Sequence, residues 1–539
     1  MTRAIIFCIF FFFAHDLYAQ VAPGGDTLRE IEIIKGRSLR EKTVDSLTRL
    51  QTIAGDVILK EGNTLFICDS AIINQRLNTI EAFGNIHINQ SDSMHAYSQY
   101  MRYMGNERIA YMQKNVRLTD KKGTLFTEEL EYNLGTGIGI YNRNGRVVNG
   151  KTVLTSTSGT YFSDTKDIFF RNNVRLVNPT DTITADSMQY NTLTEVATFI
   201  GPTNIKGKDF KIYTTSGFYN MKTGEALFDQ RSLFKDSVRT FIADHTAFDD
   251  KSGIAQLEGN AVVKDSAGGY TVLGNQIFLN KKNNSFLATR KPVLIIKHEN
   301  DSTYIAADTL YSGFRLNNSK IDSVKITDTL RTDSTINTAS LKNKKSKTPQ
   351  DSSRYFQAFH HVRIYNDSLQ SVCDSLFYSA KDSVFRLYNE PVVWNGKSQI
   401  TGDTIYMFTK NQKAERLYIF DHGMVISKSK GTFYNQVSGR TMNAYFTEGK
   451  INTMKVKGSP SESIYFIQDE DSAYVGMNRA TGDVIDILFI NAEINKVRYI
   501  NDVKGILHPI RQVTEDIKYL RGFNWLDKRR PKNKAELFE

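Results

Sequence analysis

The chain alternates short apolar pairs with turn residues in a pattern typical of β-strands. Each copy has a turn of Gly, Asn, Lys or His, an apolar residue, a variable residue and a second apolar residue. Strand side chains alternate between two faces, so the apolar pair shares one face and the middle residue takes the other. The copies are residues 55–59, 84–88, 114–118, 172–176, 259–263 and 360–364. Recurrence of this kind predicts a repeat architecture of antiparallel strands.

A second element precedes these strands and consists of a small residue, an Asp and usually a hydroxyl residue. Nucleophilic catalysis needs one Ser activated by one positioned base, whereas this pair recurs with Thr or His in place of Ser. We therefore interpret the element as a corner at which Asp and Ser bind nearby backbone amides, and we predict no catalytic residue. Most intervals between successive Asp residues are near multiples of about 29 residues. The residues are Asp69, Asp186, Asp244, Asp308, Asp374 and Asp403.

Composition shifts divide the chain into six segments. The apolar run at residues 4–14 is too short to span a bilayer comfortably and is typical of a secretory signal peptide. A stretch without aromatic residues, rich in Ser, Thr and Lys, predicts a disordered insertion. The predicted segments are 1–19 (signal peptide), 20–50 (leader), 51–314 (first repeat block), 315–353 (insertion), 354–500 (second repeat block) and 501–539 (basic tail). Both one domain and two are compatible with this division.

Charge and cysteine content narrow the function classes. The net charge of +11 favours anionic partners, but export and the lack of any nucleic-acid-binding signature argue against nucleic acid. Cys68 and Cys373 would survive signal cleavage, and we predict two buried free thiols because both occupy the small-residue position of the same element. No cofactor is predicted, and no metal site, because Cys and His lack zinc-ligand spacing.

The phrases at residues 81–86 and 256–261 resemble the OstA-like family of Gram-negative envelope proteins. That family includes the periplasmic lipopolysaccharide-transport protein LptA and the N-terminal periplasmic domain of the translocon LptD. The chain is similar to the longer, Bacteroidetes-type members. The resemblance implies an all-β fold, an elongated antiparallel β-jellyroll (β-taco) repeat solenoid with an apolar groove. It also implies a periplasmic component of lipopolysaccharide transport and outer-membrane assembly, with association to the outer membrane left open.

The resemblance further implies that lipid A acyl chains bind the apolar face, and that other jellyroll components of the transport bridge or translocon add to its edge strands. The groove candidates are Val57, Leu59, Ile86, Ile88, Val116, Leu118, Val174, Leu176, Val362, Ile364, Val392, Trp394, Met424 and Ile426. From alternation alone, an open groove and a closed core are equally compatible with these residues, and only the resemblance favours the groove. Arg117, Arg175 and Arg363 would contact lipid phosphates only if they lie near its mouth.

Two other functions stay open at the level of sequence. A non-catalytic envelope scaffold or adhesin would share every feature except the lipid groove. An exported carbohydrate-active β-helix enzyme would need a unique pair of carboxylates, and the recurring Asp residues offer none.

Overall fold

A computed structural model describes residues 30–45, 48–90, 94–297, 302–316, 352–410, 413–429, 431–491 and 493–538. The predicted signal peptide and nearly all of the predicted insertion lie outside these residues. The described chain divides into two compact units, Met1–Arg171 (unit 1) and Asn172–Glu539 (unit 2).

Unit 1 is built from antiparallel strands that pair mainly with their neighbours in sequence. Its strands are β1 (Glu32–Lys35), β2 (Ser38–Thr43), β3 (Arg49–Glu61), β4 (Thr64–Asn74), β5 (Thr79–Gln90), β6 (Met94–Met104), β7 (Ile109–Thr119), β8 (Thr124–Asn133), β9 (Ile138–Tyr141), β10 (Gly145–Asn149), β11 (Thr152–Ser156) and β12 (Ser158–Phe162). Because β1 and β2 pair with β3, part of the predicted leader belongs to the sheet.

Unit 2 continues the same antiparallel pattern, starting with β13, whose first residues belong to unit 1. The strands are β13 (Asp167–Val177), β14 (Thr182–Asn191), β15 (Val196–Lys206), β16 (Phe210–Asn220), β17 (Glu225–Phe228), β18 (Ser232–Asp236), β19 (Arg239–Ala243), β20 (His245–Asp249), β21 (Ile254–Asp265), β22 (Tyr270–Asn280), β23 (Ser285–Thr289), β24 (Val293–Lys297), β25 (Ser302–Ala306), β26 (Thr309–Leu316), β27 (Ser352–Tyr365), β28 (Gln370–Ser379), β29 (Val384–Tyr388), β30 (Val392–Asn395), β31 (Ser398–Thr401), β32 (Thr404–Lys410), β33 (Lys413–Phe420), β34 (Gly423–Lys428), β35 (Tyr434–Gly439), β36 (Thr441–Thr447), β37 (Lys450–Gln468), β38 (Tyr474–Ile490), β39 (Glu493–Ile500) and β40 (Lys504–Pro509). Three short 3₁₀ helices follow, at Ile510–Gln512, Asp527–Arg529 and Lys534–Leu537. The predicted all-β antiparallel fold is confirmed.

The strands flanking the predicted insertion pair directly with one another. Arg315 of β26 lies opposite Ser353 of β27, and the pairing continues to Thr309 and Phe359. Both strands belong to unit 2. The two predicted repeat blocks therefore meet within one compact unit.

The recurring turn residues form corners inside the long strands. In β5, Gly84 and Asn85 both have left-handed backbone angles (φ 72° and 44°), and the register with β6 shifts between Phe83 and Ile86. A Cβ at residue 84 would lie 2.3 Å from Asp69 Oδ2, so a larger residue there would have to displace the Asp69 carboxylate. Other corners use Asn-Asn or His-His pairs, at Asn172 and Asn173 and at His360 and His361. Each corner is a bulge at which the strand bends.

The Asp of the second element fixes the corner beside it. Asp69 accepts a hydrogen bond from Asn85 Nδ2 at 3.0 Å, and Asp244 accepts one from Asn260 Nδ2 at 2.7 Å. At Asp403 the partner is His422 Nδ1 at 2.9 Å, and this bond raises the pKa of the imidazole above its usual value. These copies of the element lie at corners, as predicted, but each Asp binds a side chain of the neighbouring corner and not the backbone amides that the sequence suggested.

Each corner divides its strand between two walls. In unit 1, wall A ends at the hairpin turns near residues 75–78, 105–108 and 134–137, and wall B ends at those near 62–63 and 120–123. In unit 2, β27 gives Tyr355–Phe359 to wall A and Val362–Tyr365 to wall B. Apolar residues from both halves, such as Phe356, Ala358 and Val362, lie in one buried cluster. The core therefore lies between the walls.

The C-terminal tail crosses the other face of wall B in unit 2. Leu520 packs with Met424 and Ile426, and Leu526 packs against Trp394. Three buried glutamines, on every second strand of this part of wall B, hold the tail. Gln436 donates to Lys518 O (3.0 Å) and accepts from Leu520 N (2.8 Å), Gln399 bonds Asn524 O and Leu526 N (both 2.7 Å), and Gln370 accepts from Arg530 (2.6 and 2.9 Å). This stretch of wall B is buried on both faces.

Candidate functional site

Opposite the corners, tyrosines of wall A bind polar side chains of wall B in unit 1. Tyr103, Tyr132 and Tyr161 follow one another at intervals of 29 residues. Tyr132 donates to Gln90 Oε1 (3.1 Å), Tyr161 donates to Asp120 Oδ2 (2.6 Å), and Tyr103 donates to the buried Glu61. We call these contacts the tyrosine clasps. They join the hairpin margins of the two walls, so unit 1 is closed along this side.

The clasp at Asp120 is the most elaborate of the three. Its Oδ1 caps the turn by accepting from Lys122 N (3.1 Å) and Gly123 N (2.9 Å), and its Oδ2 also lies 3.2 Å from Lys166 Nζ. Burial alone would raise the pKa of Asp120, but the hydrogen bonds from Gly123, Tyr161 and Lys122 outweigh it and lower that pKa. Burial, followed by the bond to Asp120, raises the pKa of Tyr161 well above its usual value. The pair is therefore held as carboxylate and neutral phenol at neutral pH.

Among the described residues of unit 2, the corresponding margin opens into a cleft of about 1340 Å³. Its rim consists of wall B turns near residues 236–239, 265–270 and 366–369, and wall A turns near 380–383, 409–413 and 448–449. Interior apolar side chains form the floor: Tyr270, Ile296, Phe356, Ile364, Tyr378, Phe385, Met407 and Ala414. The apolar interior is thus accessible from the margin here.

Polar contacts close the margin on either side of the cleft. Beyond one end, burial raises the pKa of Tyr219 to about 12, with smaller contributions from Asp181 and Asp250. Tyr219 continues the 29-residue tyrosine spacing through Tyr190, and the next position in that series is Phe248, which has no hydroxyl. At the other end, Asn395 Nδ2 donates to Ser368 O (2.8 Å) and Gly449 O (3.1 Å).

Charged and aromatic residues cluster at one end of the cleft. The Arg354 guanidinium lies 4.4 Å from the centre of the Phe314 ring and 5.1 Å from that of Tyr270. Arg239 Nε lies 3.8 Å from Asp265 Oδ2. The pKa of Arg354 is lowered, chiefly by burial. Among the described residues, no group of three or more His, Cys, Asp and Glu side chains could hold a metal ion.

Ten of the predicted groove residues lie in the interior between the walls, all at most 3% exposed. They are Val57, Leu59, Ile86, Ile88, Val116, Leu118, Val174, Leu176, Val362 and Ile364. Of these, Ile364 lines the cleft. Those of unit 1 lie behind the tyrosine clasps.

The other four candidates, Val392, Trp394, Met424 and Ile426, point the opposite way. Their neighbours Val393 and Val425 belong to the interior cluster, whereas Trp394 and Met424 pack in the clusters beneath the tail. The predicted face is therefore wrong for these four. The left-handed corner pairs end at Glu390 and His422, so Val392 and Met424 hold the middle position of the repeat. That position is apolar here because the tail covers it, and a shift of one residue reverses every face.

Arg117, Arg175 and Arg363, which the sequence offered as phosphate contacts only if they lay near the mouth, are not among the residues that line the cleft. Arg117 stacks 4.0 Å from the ring centre of Tyr97 on the outer face, and Arg363 donates to Glu536 O of the tail at 2.7 Å. Arg175 is exposed. Sequence reasoning missed Arg239 and Arg354, because the patterns used did not bring them together. It could have found the clasps from the tyrosine spacing. Cys68 and Cys373 are buried and free, as predicted.

The bulged corners of successive strands, the two paired walls and the polar contacts along their margins define an all-β repeat protein of the jellyroll type. A family model described as OstA-like protein matches residues 29–186 and 171–244. The family resemblance predicted from the sequence is thus confirmed over residues 29–244. No curated protein matches the chain.

One similar solved structure is LptH from Pseudomonas aeruginosa, described as the LptA-homologous periplasmic component of the conserved lipopolysaccharide transport device. It is 13% identical, with coverage of 31% of this chain and 80% of that chain, and the TM-score is 0.10. A similarity of that size supports no conclusion about this chain. No helix among the described residues is long and apolar enough to cross a membrane.

Proposed function

We propose that the protein is a periplasmic component of lipopolysaccharide transport that holds lipid acyl chains between its walls and contributes to outer-membrane assembly. The observation that carries the proposal is the cleft of unit 2, where the margin parts over an apolar floor. The OstA-like match of residues 29–244 supports the same function. Carriage of this kind is passive and uses no catalytic group.

The size and chemistry of the cleft suit acyl chains. Its volume of about 1340 Å³ exceeds the roughly 300–1,000 Å³ of ordinary small-ligand pockets. Burying one methylene is worth about 0.8 kcal/mol, so even a partly enclosed chain gains several kcal/mol. The interior residues of unit 1, such as Leu118, would take lipid only when the tyrosine clasps part.

Strand addition at the chain's terminal strands would supply the partner contacts of a bridge. In unit 1, every described residue of β1 and β2 is exposed. In unit 2, β40 is exposed except at His508. Unpaired edges of this kind accept a further strand. We propose that other jellyroll components of the pathway pair there.

Filling the cleft tests the proposed function. Ala414 lines the cleft, and Ala414→Trp places a large ring over its floor. We expect the variant to keep its melting temperature within a few degrees and to lose at least ten-fold in affinity for lipopolysaccharide, measured by equilibrium binding. Arg416→Trp is the matched control, since the Arg416 guanidinium lies 4.0 Å from the ring centre of Phe408, outside the cleft lining. Equal affinity of Ala414→Trp and wild type, or no lipid binding by the wild type, would leave a structural scaffold as the better interpretation.

A further inference from the structure

Arg354 is presented to the cleft by aromatic side chains. Its guanidinium lies between the rings of Phe314 and Tyr270, and Nη1 donates to Ser312 Oγ at 3.0 Å. Phe314, Tyr270 and Arg354 all line the cleft. Stacking of this kind fixes the plane of the guanidinium while leaving other N–H groups for a ligand.

Arg239 lies at the same end and has an unused donor. Its Nε is buried and has no hydrogen-bond partner, and the nearest Asp265 oxygen is 3.8 Å away. Asp265 is already engaged, since Oδ1 accepts from Gly268 N (2.7 Å) and Oδ2 accepts from Tyr270 (3.1 Å). A buried donor without a partner costs free energy, which an acceptor from a ligand would recover.

The remaining charged residues of the cleft do not supply that acceptor. Asp236 accepts from Val238 N (2.8 Å) and Arg239 N (2.6 Å) of its own turn. Lys413 and Glu448 lie on wall A turns that follow β32 and β36, several strands away from β27 along the pairing order. The end of the cleft therefore has an excess of hydrogen-bond donors, although its formal charges balance.

We infer that Arg239 and Arg354 bind the phosphate group of a lipid whose acyl chains lie on the apolar floor of the cleft. Guanidinium groups match phosphate with paired N–H donors, and bonds between charged groups are about twice as strong as neutral ones. This inference rests on the proposed function, which supplies the acyl chains. It adds the requirement that the bound lipid carry a phosphate group, which a purely apolar cleft would not impose.

The test compares three probes on the full chain: diphosphorylated lipid A, the same lipid without its phosphates, and inorganic phosphate. We expect the double variant Arg239→Gln, Arg354→Gln to bind the phosphorylated lipid about 10- to 100-fold more weakly. It should bind the dephosphorylated lipid within two-fold of wild type. Lys413→Gln, at the other part of the rim, is the control and should change neither affinity by more than two-fold. If the double variant fails to fold, Arg239→Gln alone replaces it, because that side chain is 21% exposed.

Each other outcome overturns a distinct claim. Equal loss for both lipids, or no loss for either, overturns the phosphate site and leaves the proposed function standing. Inorganic phosphate binding as tightly as the phosphorylated lipid would make free phosphate the ligand and overturn the lipid assignment. If neither lipid binds the wild type, the proposed function fails, and the site is judged by inorganic phosphate alone. If inorganic phosphate then binds the wild type but not the double variant, the two arginines still form an anion site. If inorganic phosphate does not bind the wild type, that site is overturned as well.

Discussion

The two units are built from the same strand, corner and strand repeat, yet their margins differ. In unit 1, tyrosines of wall A reach acids and amides of wall B and close the interior. In unit 2, the margin from Arg239 to Glu448 is parted over an apolar floor. Both units keep buried apolar pairs between their walls, and the 29-residue tyrosine series is interrupted at Phe248 of unit 2, which has no hydroxyl. Access to the interior of these units therefore depends on the margin as much as on the core.

Outer faces differ as well. Unit 1 alternates buried and exposed residues along its long strands, as in β7 with Ala110, Met112, Val116 and Leu118 buried. In unit 2, β30 is buried at every position because the tail packs on its outer face. In unit 2, the margin with the cleft thus occurs together with a wall B whose outer face is covered by the C-terminal tail.

Removing the Asp120 carboxylate should have the largest effect on the difference between the closed margin of unit 1 and the open margin of unit 2. Asp120→Ala removes the acceptor of the Tyr161 hydroxyl and the carboxylate beside Lys166, and it uncaps the turn at Gly123. Losing the buried hydrogen bond from Tyr161 to a charged acceptor costs about 1.5–3 kcal/mol, and loss of the turn cap adds to that cost. We expect hydrogen exchange at the margins around residues 120–124 and 161–166 to show local opening that is easier by that amount. Arg143→Ala is the control, because its ion pair with Glu129 is exposed and worth less than about 1 kcal/mol. Unchanged protection in Asp120→Ala would mean that the clasps do not hold unit 1 closed.

Releasing the tail should have a smaller effect, confined to unit 2. Gln436→Ala removes two hydrogen bonds and leaves Lys518 O and Leu520 N without partners, at a cost of about 2 kcal/mol. We expect proteolysis to cut the tail near residues 518–520 faster than in wild type, with unit 1 unaffected. Gln75→Ala, which removes an exposed bond between Gln75 and Gln51, should leave the cleavage rate unchanged. An unchanged rate in Gln436→Ala would show that the apolar contacts of Leu520 hold the tail without the glutamine.

A change of pH within the neutral range should have the smallest effect on the stability of the clasp between Asp120 and Tyr161. The pKa of Asp120 is lowered from 3.8, so its contribution is complete above pH 3.8 and is lost as the pH falls through the lower folded value. The pKa of Tyr161 is raised from 10.0, so its contribution is complete below pH 10 and is lost as the pH rises above it. The melting temperatures of wild type and Asp120→Asn should therefore differ by a constant amount between about pH 5 and 9 and converge at acid pH. A difference that changes across the neutral range would contradict the assignment.

The fold could be predicted from the sequence because each repeat specifies its own strands and corner through residues that are close together in the chain. The apolar pairs define strands, and turn pairs such as Gly84 and Asn85 adopt the left-handed conformation that marks a corner. The corner position of the recurring Asp was predicted correctly because Asp69 and Asp244 bind residues of neighbouring strands, although their partners are asparagine side chains and not backbone amides.

The site depended on contacts that local patterns do not encode. The predicted face was wrong for Val392 and Met424 because the tail, more than 90 residues later in the chain, covers an outer position that is apolar for that reason. Gln399 and Gln436 gave no signal, since their partners are backbone groups of the tail. The clasps join residues about 40 positions apart, and their signal was the regular spacing of tyrosine.

Photocrosslinking to lipopolysaccharide in cells tests the contrast between the two margins most directly. A probe at Met407 lies on the floor of the cleft, one at Leu118 lies in the closed interior of unit 1, and one at Phe408 lies on the outer side of the same strand as Met407. We predict strong crosslinking from Met407, little from Phe408 or Leu118, and a rise at Leu118 when Asp120→Ala opens the clasp. Crosslinking from Leu118 as strong as from Met407 in the otherwise unmodified protein, or none from Met407, would contradict the account.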